Sequence, residues 1–243
     1  MPVVALRRAT QSCRSLKRAI VTGALGIALL SMAASASAQL SATLSVVSDY
    51  RYRGVSLSDN EPAAQIGVTY DAPQGWYAGA FVSTAKSETY ETRGIQAIGF
   101  GGYAWRTSSE LSLEVGADYV AVTTAPRYDY PEVYAGLTFK NVSARVYYAP
   151  RYFGQDSAAV YGELNVAQPW LPNARILAHI GVLGGAANNP SGAPVDALIG
   201  VGIDWEGFNL QVSWVGISHG SEAYAASGVG PRNNVVVSLS RSF

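Results

Sequence analysis

The chain has 243 residues, 17 basic and 17 acidic, so its formal net charge is zero and a basic nucleic-acid binder is excluded as the default reading. Charged residues make up only 14%, whereas glycine (25) and tyrosine (15) are frequent, which points to strands and tight turns rather than helices. The single cysteine, Cys13, excludes a disulfide framework and a cysteine-based zinc site.

The first predicted element is a leader. Arg7, Arg8, Arg14, Lys17 and Arg18 precede an apolar run from Ala19 to Leu30, and Ala36-Ser37-Ala38 has the small-residue pattern of a cleavage site. Residues 1–38 are therefore expected to be a cleaved signal peptide, with 39–243 as one exported domain. Cys13 would leave with the leader, and loss of five basic residues would leave the acids in excess. Nothing after residue 38 approaches the ~18 consecutive apolar residues of a membrane helix. The exported chain is then a soluble periplasmic β-protein or a membrane β-barrel.

Period-two alternation favours the barrel. In the first strand Leu40, Ala42, Leu44, Val46, Tyr50 and Tyr52 oppose Thr43, Ser45, Asp49, Arg51 and Arg53. Twelve strands are predicted, at about 41–52, 62–71, 76–86, 94–106, 110–122, 131–140, 142–152, 157–168, 174–183, 195–205, 208–218 and 233–243. In 110–122, Leu111, Leu113, Val115, Ala117, Tyr119 and Ala121 alternate with Ser112, Glu114, Gly116 and Asp118. In 195–205, Ile199, Val201, Ile203 and Trp205 alternate with Asp196, Gly200, Gly202 and Asp204. Glycines 79, 99, 101 and 102 blur the facing of the third and fourth strands.

The connections alternate short and long. Ala72–Gly75, Thr107–Ser109, Lys140-Asn141, Gln168 to Asn173 and Glu206-Gly207 are short; Arg53–Glu61, Ser87–Arg93, Thr123–Tyr130, the Phe153–Asp156 region, Gly184–Pro194 and His219–Arg232 are long. Outer-membrane barrels combine short periplasmic turns, long external loops and an even strand number. Tyr50, Tyr52, Tyr70, Trp105, Trp205, Trp214 and Phe243 lie near strand ends, where aromatic girdles are expected. The expected fold is an all-β, transmembrane, antiparallel up-and-down barrel of about twelve strands.

In that fold the polar faces line the lumen. They bring in the acids Asp49, Glu114, Asp118, Glu132 and Glu163, with Asp71, Asp196 and Asp204, and the bases Arg51, Arg53, Arg145, Arg151, Arg175 and His179. Gln65 faces inward from the second strand. A row of arginines could guide small anionic solutes through a narrow pore. Alternatively, the arginines pair with the acids and fill the lumen structurally, as a ring of about twelve strands lies between filled and open barrels. The arginines at 51 and 53 are read as a cluster at the external mouth, either contacting solute or pairing with Asp49, Asp59 or Glu61.

The run Ser48-Asp49-Tyr50-Arg51-Tyr52-Arg53-Gly54-Val55-Ser56, then Pro62-Ala63-Ala64-Gln65 and Gly75-Trp76-Tyr77-Ala78-Gly79, resembles the proteobacterial outer-membrane family known as Gcw-chp, or TorF-type porins. Tyr130–Leu137 and Ala178–Gly181 are similar to later segments of that family, so the resemblance spans 40–243. It implies an outer-membrane barrel and suggests a channel, without naming a solute.

No nucleotide, zinc-protease or phosphate-cradling motif is present, and no cofactor or metal is expected. A membrane-embedded hydrolase would have to use His179 or His219, neither of which sits in a recognisable nucleophile pattern; no catalytic residue is assigned. The expected partners are outer-membrane lipid and lipopolysaccharide, small solutes, and the barrel-assembly machinery. The last would read the amphipathic final strand ending at Phe243, where Arg241 on the apolar face would snorkel to headgroups. The principal reading is a passive porin; the alternative is a non-conducting structural or ligand-binding surface barrel.

Overall fold

The computed structural model describes residues 39–86, 93–107, 110–185, 192–218 and 232–243. The leader, His219 and the central parts of the connections after residues 86, 185 and 218 lie outside the described residues.

Alternation of apolar and polar residues builds the wall. The strands are β1 (Gln39–Val47), β4 (Ala63–Asp71), β5 (Trp76–Ala85), β6 (Gly94–Arg106), β7 (Leu111–Val122), β8 (Tyr130–Phe139), β9 (Val142–Ala149), β10 (Ala159–Leu171), β11 (Ala174–Gly184), β12 (Val195–Trp205), β13 (Phe208–Ser218) and β14 (Asn233–Ser242). Each pairs antiparallel with its sequence neighbour, and β1 also pairs with β14, so the twelve strands close into a ring. Closure satisfies every strand edge, the condition for crossing a bilayer with strands. Among the described residues no helix is long and apolar enough to cross a membrane.

The apolar face points outward. Leu40, Leu44 and Val46 on β1, Leu113 and Val115 on β7, and Val235, Val237 and Leu239 on β14 are exposed, while their sequence neighbours turn inward. Trp76, Trp105, Trp170, Trp205 and Phe243 form an exposed aromatic band at the short-turn end, with Tyr103 edge-on to both Trp76 and Trp105 at 4.9 Å. Tyr119, Tyr148 and Trp214 stand on the outer surface nearer the other end. Arg241 lies over the rings of Phe208 and Phe243, at 5.1 and 5.3 Å.

Inside, aromatic rings lie against glycines of adjoining strands. Tyr134 covers Gly116 and Tyr161 covers Gly181, and a Cβ at either glycine would overlap the ring above it. These close approaches hold the tyrosines flat against the wall.

The largest departure from the sequence reading is in the first strand. β1 stops at Val47, where Ser48 accepts a hydrogen bond from the Val237 N–H and donates its own N–H to the Val237 carbonyl. The alternation that continues to residue 53 belongs to a second, two-stranded unit, β2 (Arg51–Tyr52) and β3 (Val55–Ser56), folded into the barrel. Tyr50 and Tyr52 are thus not girdle residues; they are 3% and 1% exposed, inside the lumen. Period two cannot separate a wall strand from a short hairpin that follows it directly.

Candidate functional site: a hairpin seated in the lumen

The hairpin turns on Arg53 and Gly54, with φ of 49° and 79°. Left-handed φ at both central residues is the tight turn that matches strand twist. A glycine suits the second position; an arginine at the first is unusual and marks that side chain as the reason for the choice.

The hairpin reaches across the barrel. At its base, Tyr50 donates its hydroxyl to Gln96 on β6, and its ring lies 5.8 Å from that of Phe81 on β5. At its tip, a Cβ on Gly54 would come within 2.6 Å of the Asp196 Cβ on β12 and 3.1 Å of the Ile217 Cβ on β13. Leu57, 1% exposed, accepts from the Lys86 N–H at the end of β5. The connection after β9 also turns inward. Its Tyr152 and Phe153 are fully buried, Phe153 stacks on Tyr128 at 5.3 Å, and Tyr152 meets Tyr130 edge-on at 5.0 Å. Together these residues form one apolar core that fills the long-loop end of the lumen.

Arg53 lies at its centre. Nη2 donates to Glu132 Oε2 on β8 at 2.6 Å, and both side chains are almost fully buried. The guanidinium carbon sits 4.2 Å from the Tyr161 ring centroid, 5.1 Å from Tyr147 and Tyr52, and 5.4 Å from Tyr152. A weakly hydrated, delocalised cation stacked on aromatic faces is well suited to this burial. The partner is neither Asp49, Asp59 nor Glu61, because the hairpin carries Arg53 to the opposite wall.

The other inward residues sort into pairs. Asp49 is held by Arg51 Nε at 2.6 Å, by Ser56 and Ser58, and by Asn234 Nδ2 at 3.1 Å, tying the hairpin base to β14. Arg51 also donates to the Gly54 carbonyl at 3.0 Å, so it braces the turn. Gln65 bridges Ser45 and Ser83. Arg145 pairs with Glu114 at 2.5 Å, and Tyr77 donates to the other Glu114 oxygen at 3.0 Å. Tyr147 donates to Glu163 at 3.3 Å. Arg175 pairs with Asp204 at 2.9 Å near the short turns. Arg151 stands exposed in the connection after β9, apart from the lumen row expected for it. Asp118 faces Glu132 across β7 and β8, and among the described residues its Oδ1 has no hydrogen-bond partner. The expected row of arginines is therefore a set of ion pairs.

His179 has both ring nitrogens engaged, Nδ1 with Asn165 Oδ1 and Nε2 with Asp196 Oδ1, each at 2.7 Å, with the Tyr161 hydroxyl 3.0 Å from Asp196 Oδ2. This arrangement orients the imidazole and leaves neither nitrogen beside a serine. Among the described residues no cluster of His, Cys, Asp or Glu could hold a metal ion. At the long-loop rim, Glu61 receives Lys86 and Arg93, and chiefly the Lys86 hydrogen bond holds its carboxyl below the usual range.

The tyrosine cage and Asn165 were not singled out from sequence. A signal was present: Tyr130, Tyr147 and Tyr161 share parity with Glu132, Arg145 and Glu163, which puts aromatics on the polar face.

A closed ring of strands, an apolar outer band with aromatic edges, and a polar interior crossed by an inserted loop define an outer-membrane β-barrel of the porin fold. KdgM porin superposes with a TM-score of 0.54 at 11% identity, covering 84% of this chain and 99% of that one. A second structure, KdgM porin in complex with disordered oligogalacturonate, gives 0.54 at 12% identity, covering 84% and 98%. The outer-membrane channel DcaP of Acinetobacter baumannii gives 0.40 at 12% identity over 85% and 97%. No curated relative matches the sequence. The chain belongs to the Gcw_chp family, described as bacterial protein of unknown function, whose model matches residues 31–243.

Proposed function

We propose that the chain is a narrow outer-membrane diffusion channel for small solutes, held closed by hairpin β2–β3 and selective for cations once open. The observation that carries this is the fate of the inward arginines. Arg51, Arg53, Arg145 and Arg175 are each neutralised by a carboxylate, while among the described residues Asp118 and Glu163 have no cationic partner in a salt bridge. Surplus carboxylates in a low-dielectric bore favour cations, so the anion preference expected from an arginine row is replaced here by its opposite. In this reading the leader 1–38 delivers the chain, the assembly machinery engages the final strand at Phe243, lipid meets the outer face, and no catalysis is required of His179.

Reversal potential under a salt gradient, measured on the refolded chain in a planar bilayer, tests it. A second variant replaces Tyr50–Leu57 by a short Gly-Ser turn. The wild type should open rarely, the shortened variant persistently, and both should reverse on the cation side. Silence from both, in barrels shown to be folded by heat-modifiable gel migration, would overturn the channel. Anion bias would overturn the selectivity.

A further inference from the structure

The contacts that hold Arg53 belong mostly to the wall. Glu132 is on β8, Tyr147 on β9 and Tyr161 on β10, with Tyr152 in the connection between the last two. If the hairpin leaves, they remain as a cup with a carboxylate at its floor and rings at its sides. Two features mark the cup as a cation site in its own right. The Asp118 carboxylate, more than nine-tenths buried, has an oxygen with no hydrogen-bond partner among the described residues and stands in register with Glu132. The guanidinium bonds Glu132, and the Asp118 carboxylate stands beside that pair even when the site is filled. And the occupant sits in a left-handed turn position that an arginine enters at a conformational cost, as expected of a side chain retained for the contact it makes.

We infer that the Glu132–Tyr147–Tyr161 cup is a binding site for guanidinium-bearing solutes, with Arg53 as its tethered occupant, and that such a solute competes with Arg53 for it and so favours the open channel. This rests on the channel reading and names its solute class. A guanidinium is favoured over an ammonium because it is planar, stacks on the Tyr161 face and is weakly hydrated. A carboxylate-only solute has no partner there.

The probe is methylguanidinium chloride, titrated calorimetrically into the detergent-folded full barrel, with methylammonium chloride and sodium acetate at equal ionic strength as comparisons. Arg53→Asn empties the cup while keeping a residue that tolerates the left-handed turn. It should bind methylguanidinium saturably, about tenfold or more tighter than methylammonium, and acetate not at all. Adding Glu132→Gln or Tyr161→Ala should weaken binding by about tenfold or more, and the wild type should bind more weakly than Arg53→Asn. Tyr161→Phe should keep the site, because the ring face remains. No saturable binding in a folded Arg53→Asn barrel, or binding indifferent to both Glu132 and Tyr161, would overturn the inference. The readout does not use conductance: a silent barrel that binds methylguanidinium refutes the channel and keeps the site, whereas a conducting barrel that does not bind it does the reverse.

Discussion

Replacing Gly54 by alanine should unseat the hairpin and leave the barrel intact. At φ 79° a Cβ costs roughly 1–2 kcal/mol in backbone conformation. The added carbon also falls 2.6 Å from the Asp196 Cβ and 3.1 Å from the Ile217 Cβ, both fixed on wall strands, and such overpacking costs about 1–3 kcal/mol. Together these shift the seated-to-released ratio by about 2–5 kcal/mol, or roughly 1.5 to 3.5 powers of ten. Gly207 supplies the control. It has a similar φ of 84° in the two-residue turn between β12 and β13, and nothing lies within 4 Å of its added Cβ. Gly207→Ala thus carries the backbone cost without the clash and without touching the hairpin. In planar bilayers Gly54→Ala should raise open probability at least about tenfold, with Gly207→Ala matching the wild type. Equal open probability in the two variants would refute the seating of the tip against β12 and β13.

Gly181→Ala should push the Tyr161 ring off the wall and lower stability by about 1–3 kcal/mol, seen as a lower temperature for the loss of heat-modifiable migration. Asp118→Asn combined with Glu163→Gln should move the reversal potential of the Gly-Ser-turn variant toward anions, since it removes surplus lumenal charge without disturbing the Arg145–Glu114 pair. Glu61 should titrate below its ordinary 4.5, and Lys86→Ala should raise it toward that value, with Arg93 still holding it down. Because its folded pKa is depressed, the rim contact contributes fully above that ordinary value and is lost as pH falls through the lower one, which carboxylate NMR titration reads directly.

The ring was legible because its physics is periodic. A strand must show lipid one face and water the other, so Leu111–Val122 and Val195–Trp205 announce both their structure and their facing, and the two-residue turns at Lys140-Asn141 and Glu206-Gly207 fix the pairing. Which residues enter the lumen followed from the same parity, as with Glu114, Glu132, Arg145 and Glu163. How they pair did not follow, because parity gives a direction and pairing depends on which strands face each other across the bore. Arg53 shows the limit most clearly. Its partner lies 79 positions along the chain, and the turn that carries it there is written in the same alternating residues as a wall strand.

The hairpin lies between the first two strands of the ring, yet most of what holds it is made later in the chain. Glu132, Tyr161, Asp196, Ile217 and Asn234 must be in place before Arg53, Gly54 and Asp49 find their contacts. Contacts of such long sequence separation form late, after the loop-closure entropy of the strands between them has been met. The hairpin is therefore the last part to seat. Joining β1 to β14 also brings Asn234 beside Asp49, so completion of the ring and seating of the hairpin are coupled. A seated hairpin thus reports on the wall itself, since a ring without β8, β10, β12, β13 or β14 lacks part of what holds it.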